Sequence, residues 1–205
     1  MKVFGVGMIK TGTISFSVAM QRLGFGHLQG SYQTANRLLG PYLNSDWKAI
    51  YALVDKYDSF DDFPFCAPGA VAWLDKKYPD SKFVLTTRDP ASWYNSIVKY
   101  FRLSETTDLL KASQKDDPKL PLGKYFGLVN YALKTFGTVD LYNNPEQVVK
   151  AYCNYNESVI DYFEDRPERL LRVCWMDGDG FPELCKFLNK PLLDAKFPHA
   201  NKRGH

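Results

Sequence analysis

Two spacings of apolar residues recur along the chain. Short continuous apolar runs predict buried β-strands at 3–9, 82–87 and 170–176. The stretch "SFDDFPFC" is a short extended piece that Pro64 interrupts. Apolar residues three and four positions apart predict amphipathic helices, which we place at about 31–40, 46–57, 68–78 and 145–162.

Three further helices are marked by their ends or by a single apolar stripe. The one after the first strand ends at Gly24, a residue common just past a helix C-terminus, and its stripe is Phe16, Ala19, Met20 and Leu23. The second has Asp89 at the N-cap and Pro90 at the first helical position, a strong start signal. The last follows a "DGDG" turn and carries Phe181, Leu184, Cys185 and Leu188.

Strands that alternate with helices predict an α/β fold with a central parallel sheet covered on both faces. No repeat or linker divides the sequence, so we expect one domain over 1–205. The least regular segment, 104–145, is either a lid or acceptor-binding insertion, or a helical excursion that packs on the core. Ligands of parallel sheets bind at the carboxyl ends of the strands, near which Lys10, Asp62 and Arg88 fall.

The segment "KTGTIS" at 10–15 has the residues of an anion-binding turn. It joins a strand to a helix, so its backbone N–H groups lie at a helix N-terminus. Gly12 permits the turn, Lys10 adds a point charge, and Thr11, Thr13 and Ser15 add hydroxyl donors for a tetrahedral oxyanion. An ordinary turn with capping hydroxyls is the plainer alternative. In a Walker A loop lysine directly follows glycine, and in the dinucleotide fingerprint a glycine occupies the place of Lys10.

A second polar pair lies in "RDPASWYNS". Arg88 leaves the end of a strand, and Ser96 follows eight residues later on the apolar face of the next helix. The planar guanidinium can donate two parallel bonds to a phosphate, and the serine can reach the same anion. A structural ion pair for Arg88 and a backbone hydrogen bond for Ser96 are the alternatives.

Composition and charge narrow the classes of function. The chain has 45% hydrophobic and 24% charged residues, which is typical of a globular protein. A net charge of +3 is too small for a nucleic-acid-binding protein but suits a local anion pocket. The 4 cysteines form no C-x-x-C pair, so we expect reduced thiols and no zinc site. No segment approaches the roughly 20 apolar residues of a membrane span, and we expect a cytoplasmic protein.

Both polar segments, in this order, resemble the nucleotide-binding signatures of sulfotransferases that use 3′-phosphoadenosine 5′-phosphosulfate. Lys10 to Ile14 resembles that family's 5′-phosphosulfate loop, K-[ST]-G-T-[ST], with Ile14 where a hydroxyl residue is usual. Arg88 and Ser96 resemble its 3′-phosphate site. The likeness to the small P-loop branch extends over nearly the whole chain, through "DDFPF", "YFEDRPERLL", "GFPELCKFLNKP" and "FPHAN".

This resemblance implies a three-layer, P-loop NTPase-like fold and a reaction that moves a sulfuryl group to a hydroxyl or amine of a small-molecule acceptor. The product nucleotide would be 3′-phosphoadenosine 5′-phosphate, and no metal is required. Lys10 would neutralise the departing bridging oxygen. The nucleotide would be bound by Lys10, Thr11, Gly12, Thr13, Ile14, Ser15, Arg88 and Ser96.

The acceptor also needs a general base. The resemblance favours Asp62, because the branch has an acidic residue before a proline here, while Asp61 and His27 are alternatives. His199 and the basic tail at 202–204 either support the 3′-phosphate end or have no role in binding. The sequence does not indicate the oligomeric state.

Two other functions stay open at this point. A P-loop kinase of small molecules is the first, because Asp177 near the end of the third apolar strand resembles a Walker B aspartate. The inverted order of Lys10 and Gly12, and Arg172 inside that strand, weigh against it. The second is a non-catalytic nucleotide-binding module that keeps the pocket without turnover.

Overall fold

The structure is a computed structural model that describes residues 1–28, 32–110 and 126–199. It separates into two compact units, one of Met1–Arg88 with Val159–His205 and one of Asp89–Ser158. Part of the predicted insertion, at 111–125, and the tail at 202–204 lie outside the described residues.

A five-stranded parallel sheet forms the centre of the first unit. Its strands are β1 (Val3–Gly5), β2 (His27–Leu28), β3 (Ser59–Phe60), β4 (Lys82–Thr86) and β5 (Leu170–Val173). They lie in the order β2-β3-β1-β4-β5, and every neighbouring pair is parallel. The predicted α/β fold with a central parallel sheet is therefore confirmed.

Helices account for most of the rest of the described chain. They are α1 (Thr13–Arg22), α2 (Tyr32–Leu43), α3 (Trp47–Val54), α4 (Ala70–Lys77), α5 (Pro90–Phe101), α6 (Phe126–Phe136), α7 (Pro145–Tyr162) and α8 (Phe181–Leu188), with a 3₁₀ turn at Pro167–Arg169. Within the described ranges, no helix combines the length and the apolar character needed to cross a bilayer.

The core of the first unit forms around the central strands β1 and β4. Both are apolar because helices cover the sheet, so both faces of each strand are buried. The Phe4 ring stacks on Phe60 at 4.9 Å and lies 5.5 Å from Phe83. The predicted stripe of α1 is buried against β4 and α8, in one cluster that includes Val84 and Phe181. Each fully buried ring of this kind contributes about 1.5–3 kcal/mol.

The second unit has its own packing. The Trp93 ring of α5 stacks on Tyr152 of α7 at 4.1 Å, with Phe136 of α6 at 6.1 Å. The Tyr94 hydroxyl donates to the carbonyl oxygens of Leu141 and Tyr142 at 3.1 and 2.9 Å. The described part of 104–145 contains helix α6, and a lid or acceptor-binding role for the segment stays a prediction.

Three features of the backbone differ from the expected elements. Regular pairing of the first strand ends at Gly5, because the chain turns at Met8, whose carbonyl accepts from Thr11 N at 3.3 Å. Strand β5 ends at Val173, because the Asp179 carboxylate accepts from Cys174 N at 2.7 Å and starts a turn. The two-residue strand β2 was not predicted, because two residues carry no periodic signal.

Candidate active site

The candidate site lies where the strand order reverses. The chain leaves β1 towards the β2 edge of the sheet and leaves β4 towards β5 on the opposite edge. The carboxyl ends of β1 and β4 therefore flank a crevice of the kind in which open α/β sheets bind ligands. The loop from Val6 to Gly12 follows β1, and Thr87 and Arg88 follow β4.

Close backbone contact fixes the loop after β1 against β4. A Cβ on Gly7 would lie 2.0 Å from Thr86 Oγ1 and 2.4 Å from the Thr86 carbonyl oxygen, so only glycine fits there. The Thr11 hydroxyl donates to the Met8 carbonyl at 2.6 Å and bonds the Thr86 hydroxyl at 2.6 Å. Thr11, which we predicted as a donor to an anion, thus uses its hydroxyl to hold the loop.

Helix α1 presents its N-terminus at the end of this loop. Gly12 is the N-cap with φ 102°, and a Cβ there would lie 2.5 Å from Cδ1 of Trp175. The first helical bond runs from Phe16 N to the Gly12 carbonyl at 3.1 Å. The N–H groups of the preceding turn have no acceptor within the helix, so the helix end can hold an anion.

Two cationic residues meet at the same loop. Lys10 has φ 71°, in the left-handed region, and is partly exposed. Arg88 Nη1 donates to the Lys10 carbonyl oxygen at 3.5 Å. The structure therefore places the Arg88 guanidinium beside the backbone of Lys10, near the carboxyl ends of β1 and β4.

Asp62 follows Asp61 just after the end of β3 and has φ 58°. Burial, and after it the charge of neighbouring Asp61, raises the pKa of Asp62 to about 7, although a hydrogen bond from Thr13 and the charge of Lys10 lower it. Its Oδ1 atom is shielded from solvent and has no hydrogen-bond partner within the described ranges. The structure thus brings together three residues that the sequence analysis singled out, Lys10, Thr13 and Asp62.

The other two base candidates lie behind Asp62. The His27 and Asp61 side chains are 0% and 2% exposed, with His27 Nε2 3.5 Å from Asp61 Oδ2. His27 Nδ1 lies 2.6 Å from the Ser59 hydroxyl. The side chains of His27 and Asp61 are therefore closed to an acceptor.

The remaining predicted residues differ in their surroundings. Ser15 is buried in the first turn of α1, while Ile14 beside it is 39% exposed. Ser96 lies in α5 of the second unit and is partly exposed. His199 is exposed, with its ring 6.4 Å from that of Phe197.

Trp175 is a site residue that the sequence analysis missed. It is 4% exposed, contacts Gly12, and its Nε1 donor has no hydrogen-bond partner among the residues that the structure describes. Its ring also packs on Phe197 at 4.4 Å. The available signal was its place at the carboxyl end of an apolar run. Asp177, by contrast, is exposed and lies four residues past the end of β5, unlike a Walker B aspartate.

The described ranges contain no group of three or more His, Cys, Asp or Glu residues that could hold a metal ion. Among the residues that the structure describes, no disulfide joins the four cysteines, Cys66, Cys153, Cys174 and Cys185.

Two comparisons with known proteins bear on this site. A family model described as "Sulfotransferase domain" matches residues 2–205. The chain is also similar to "Ava biosynthesis cluster protein M" of Aspergillus versicolor, at 25% identity over 228 residues that cover 97% of this chain and 80% of the relative. The matched range includes every residue of the site.

Proposed function

The chain belongs to the sulfotransferase-domain family, and from that premise we propose that it transfers a sulfuryl group from 3′-phosphoadenosine 5′-phosphosulfate to a small-molecule acceptor. The acceptor group would be a hydroxyl or an amine. One observation carries the proposal: Lys10, the N-terminus of α1 and a carboxylate with a pKa of about 7 lie together at the carboxyl ends of the strands.

The loop after β1 is suited to the phosphosulfate end of the donor. Gly12 has no side chain, so an anion can approach the N–H groups of the first turn of α1. The bound donor supplies the sulfuryl group and a nucleotide leaving group. Lys10 would stabilise the negative charge that develops on the leaving oxygen, a contribution commonly of about 100- to 1000-fold in rate.

Asp62 would accept the proton of the acceptor. A base is most effective when its pKa lies near the working pH, because it is then ionised and still basic. The pKa of Asp62, raised to about 7 by burial and by Asp61, meets this condition. The side chains of the other two base candidates, His27 and Asp61, are closed to solvent.

Arg88 and Ser96 would bind the 3′-phosphate. Arg88 is supported by its place beside Lys10, since a guanidinium there adds positive charge to the same crevice. Ser96 rests on the eight-residue spacing in the sequence alone. The transfer proposed here uses no metal, because sulfuryl transfer depends on positioning and on neutralising charge at the leaving oxygen.

A screen of hydroxyl and amine acceptors with radiolabelled donor tests the function. We expect transfer to at least one acceptor and a loss of about 100- to 1000-fold in Lys10→Ala. Lys56→Ala is the matched control, because Lys56 is an exposed lysine just beyond α3. Full transfer by a folded Lys10→Ala variant, checked by circular dichroism, would contradict the proposal.

Calorimetry separates this function from the two alternatives. We expect tight binding of 3′-phosphoadenosine 5′-phosphate and no comparable binding of magnesium ATP. Tight binding of ATP alone would instead indicate a kinase, and the exposed position of Asp177 argues against that outcome. Nucleotide binding with no transfer to any acceptor would indicate a non-catalytic module.

A further inference from the structure

We propose that Asp61, held by His27, is a positioning residue for the transfer and acts through the carboxylate of Asp62. The inference rests on the proposed function, in which Asp62 is the base. Asp61 and His27 would support the base, Asp62, and would not take the proton of the acceptor themselves.

The contact between these side chains is set by the sheet. His27 in β2 and Ser59 in β3 are register partners, and Asp61 follows β3 by one residue. His27 Nδ1 lies 2.6 Å from Ser59 Oγ, and His27 Nε2 lies 3.5 Å from Asp61 Oδ2. The Phe16 ring meets the His27 ring edge to face at 6.0 Å. These polar side chains therefore form a row that leads from β2 and β3 to Asp61, the residue next to Asp62.

The burial of these polar side chains costs free energy. Removing a carboxylate and an imidazole from water is unfavourable, even where the two groups lie 3.5 Å apart and contact each other. His27 Nε2 also makes no well-formed hydrogen bond within the described part of the chain. An apolar pair would fill the same space at lower cost, so a role towards the neighbouring Asp62 explains why polar groups occur here.

That role is electrostatic. Asp62 faces Asp61 from its own loop, Lys10 from the loop after β1 and the Thr13 hydroxyl from α1, and Asp61 in turn faces His27 from β2. A negative Asp61 makes Asp62 hold its proton more tightly. Asp62 then remains a stronger base near neutral pH than a solvated aspartate would be.

The test removes the charge of Asp61 and follows Asp62 by two readouts. One is the carboxyl ¹³C titration of the free protein, with the Asp62 signal assigned by its loss in Asp62→Asn. The other is the pH profile of kcat/KM. In Asp61→Asn we expect the midpoint of the Asp62 titration to fall from about 7 by about one pH unit or more. At about pH 6 the ionised fraction would then rise from about a tenth to about half, while the plateau rate at about pH 8 falls because the base is weaker.

Two further variants test His27. In His27→Gln the side-chain amide can take the place of Nε2 and reach Asp61. In His27→Asn the shorter amide can take the place of Nδ1 only, so it reaches Ser59 and not Asp61. We expect the midpoint of the Asp62 titration in His27→Asn to differ from that of the wild type. In His27→Gln we expect it to lie closer to the wild-type value. Asp80→Asn, at an exposed aspartate, is the matched control and should leave the midpoint unchanged.

An Asp62 midpoint that is the same in Asp61→Asn and wild type would overturn the inference. If Asp61→Asn does not fold, the histidine pair decides, and wild-type midpoints in both histidine variants would overturn it. The carboxyl titration needs neither donor nor acceptor. A shifted midpoint in a protein that transfers no sulfuryl group would therefore reject the proposed function and keep the link between Asp61 and Asp62.

Discussion

Replacing Asp62 by asparagine should stabilise the fold at neutral and alkaline pH. In the unfolded chain the carboxyl has its ordinary pKa of 3.8, whereas burial and Asp61 raise the folded-state pKa to about 7. Between these values the folded protein holds a proton that the unfolded chain has lost. Stability therefore falls as pH rises through this window, and the loss is complete above about pH 7.

The size of the effect follows from the two pKa values. Each pH unit between them corresponds to about 1.4 kcal/mol, so the full window gives on the order of 4 kcal/mol as an upper bound. Asparagine does not titrate, so the variant avoids this loss. The difference in the free energy of unfolding between Asp62→Asn and wild type should therefore grow by on the order of 2–3 kcal/mol from about pH 5 to about pH 8.

Urea unfolding at about pH 5, 6, 7 and 8 measures this difference. Asp80→Asn serves as the control, because an exposed aspartate should show no such trend. The asparagine side chain also tolerates the φ of 58° at this position. A difference between Asp62→Asn and wild type that stays constant from about pH 5 to about pH 8 would refute the reasoning.

The remaining predictions concern the two ends of the crevice. Arg88→Ala should raise the donor KM by about 10- to 100-fold with the fold unchanged, as expected for a lost charge-assisted bond, and equal donor affinity would mean that the 3′-phosphate binds elsewhere. Gly7→Ala should destabilise the protein or displace the loop, because its Cβ would overlap Thr86. Gly40→Ala, which meets no atom within 4 Å, is the control, and equal melting temperatures of the two alanine variants would contradict the close packing of Gly7.

The sequence predicted those elements whose signal is local. The strands β1 and β4 are short apolar runs because both of their faces are buried. Helix α5 starts at Pro90 after its Asp89 cap, whose side chain accepts from Ser92 N at 2.8 Å. Helix α1 ends at Arg22, just before the predicted stop at Gly24, which has φ 83°, and Phe25 N donates to the Met20 carbonyl oxygen at 3.0 Å.

The rest of the candidate site depends on long-range pairing. The contact of His27 with Asp61 exists because β2 pairs with β3 in one particular register, and a two-residue strand leaves no pattern that reveals it. The contact of Trp175 with Gly12 joins residues far apart in the sequence. The Thr11 hydroxyl forms a hydrogen bond with the Thr86 hydroxyl, and the motif alone does not reveal this bond.

The packing of Phe197 on Trp175, which in turn contacts Gly12, bears on how the protein is handled in the laboratory. Through these two rings, the segment that leads to the carboxy terminus reaches the loop beside Lys10. A truncation before Phe197 would uncover the indole ring, so shortened versions of the chain should lose donor binding before they lose the sheet.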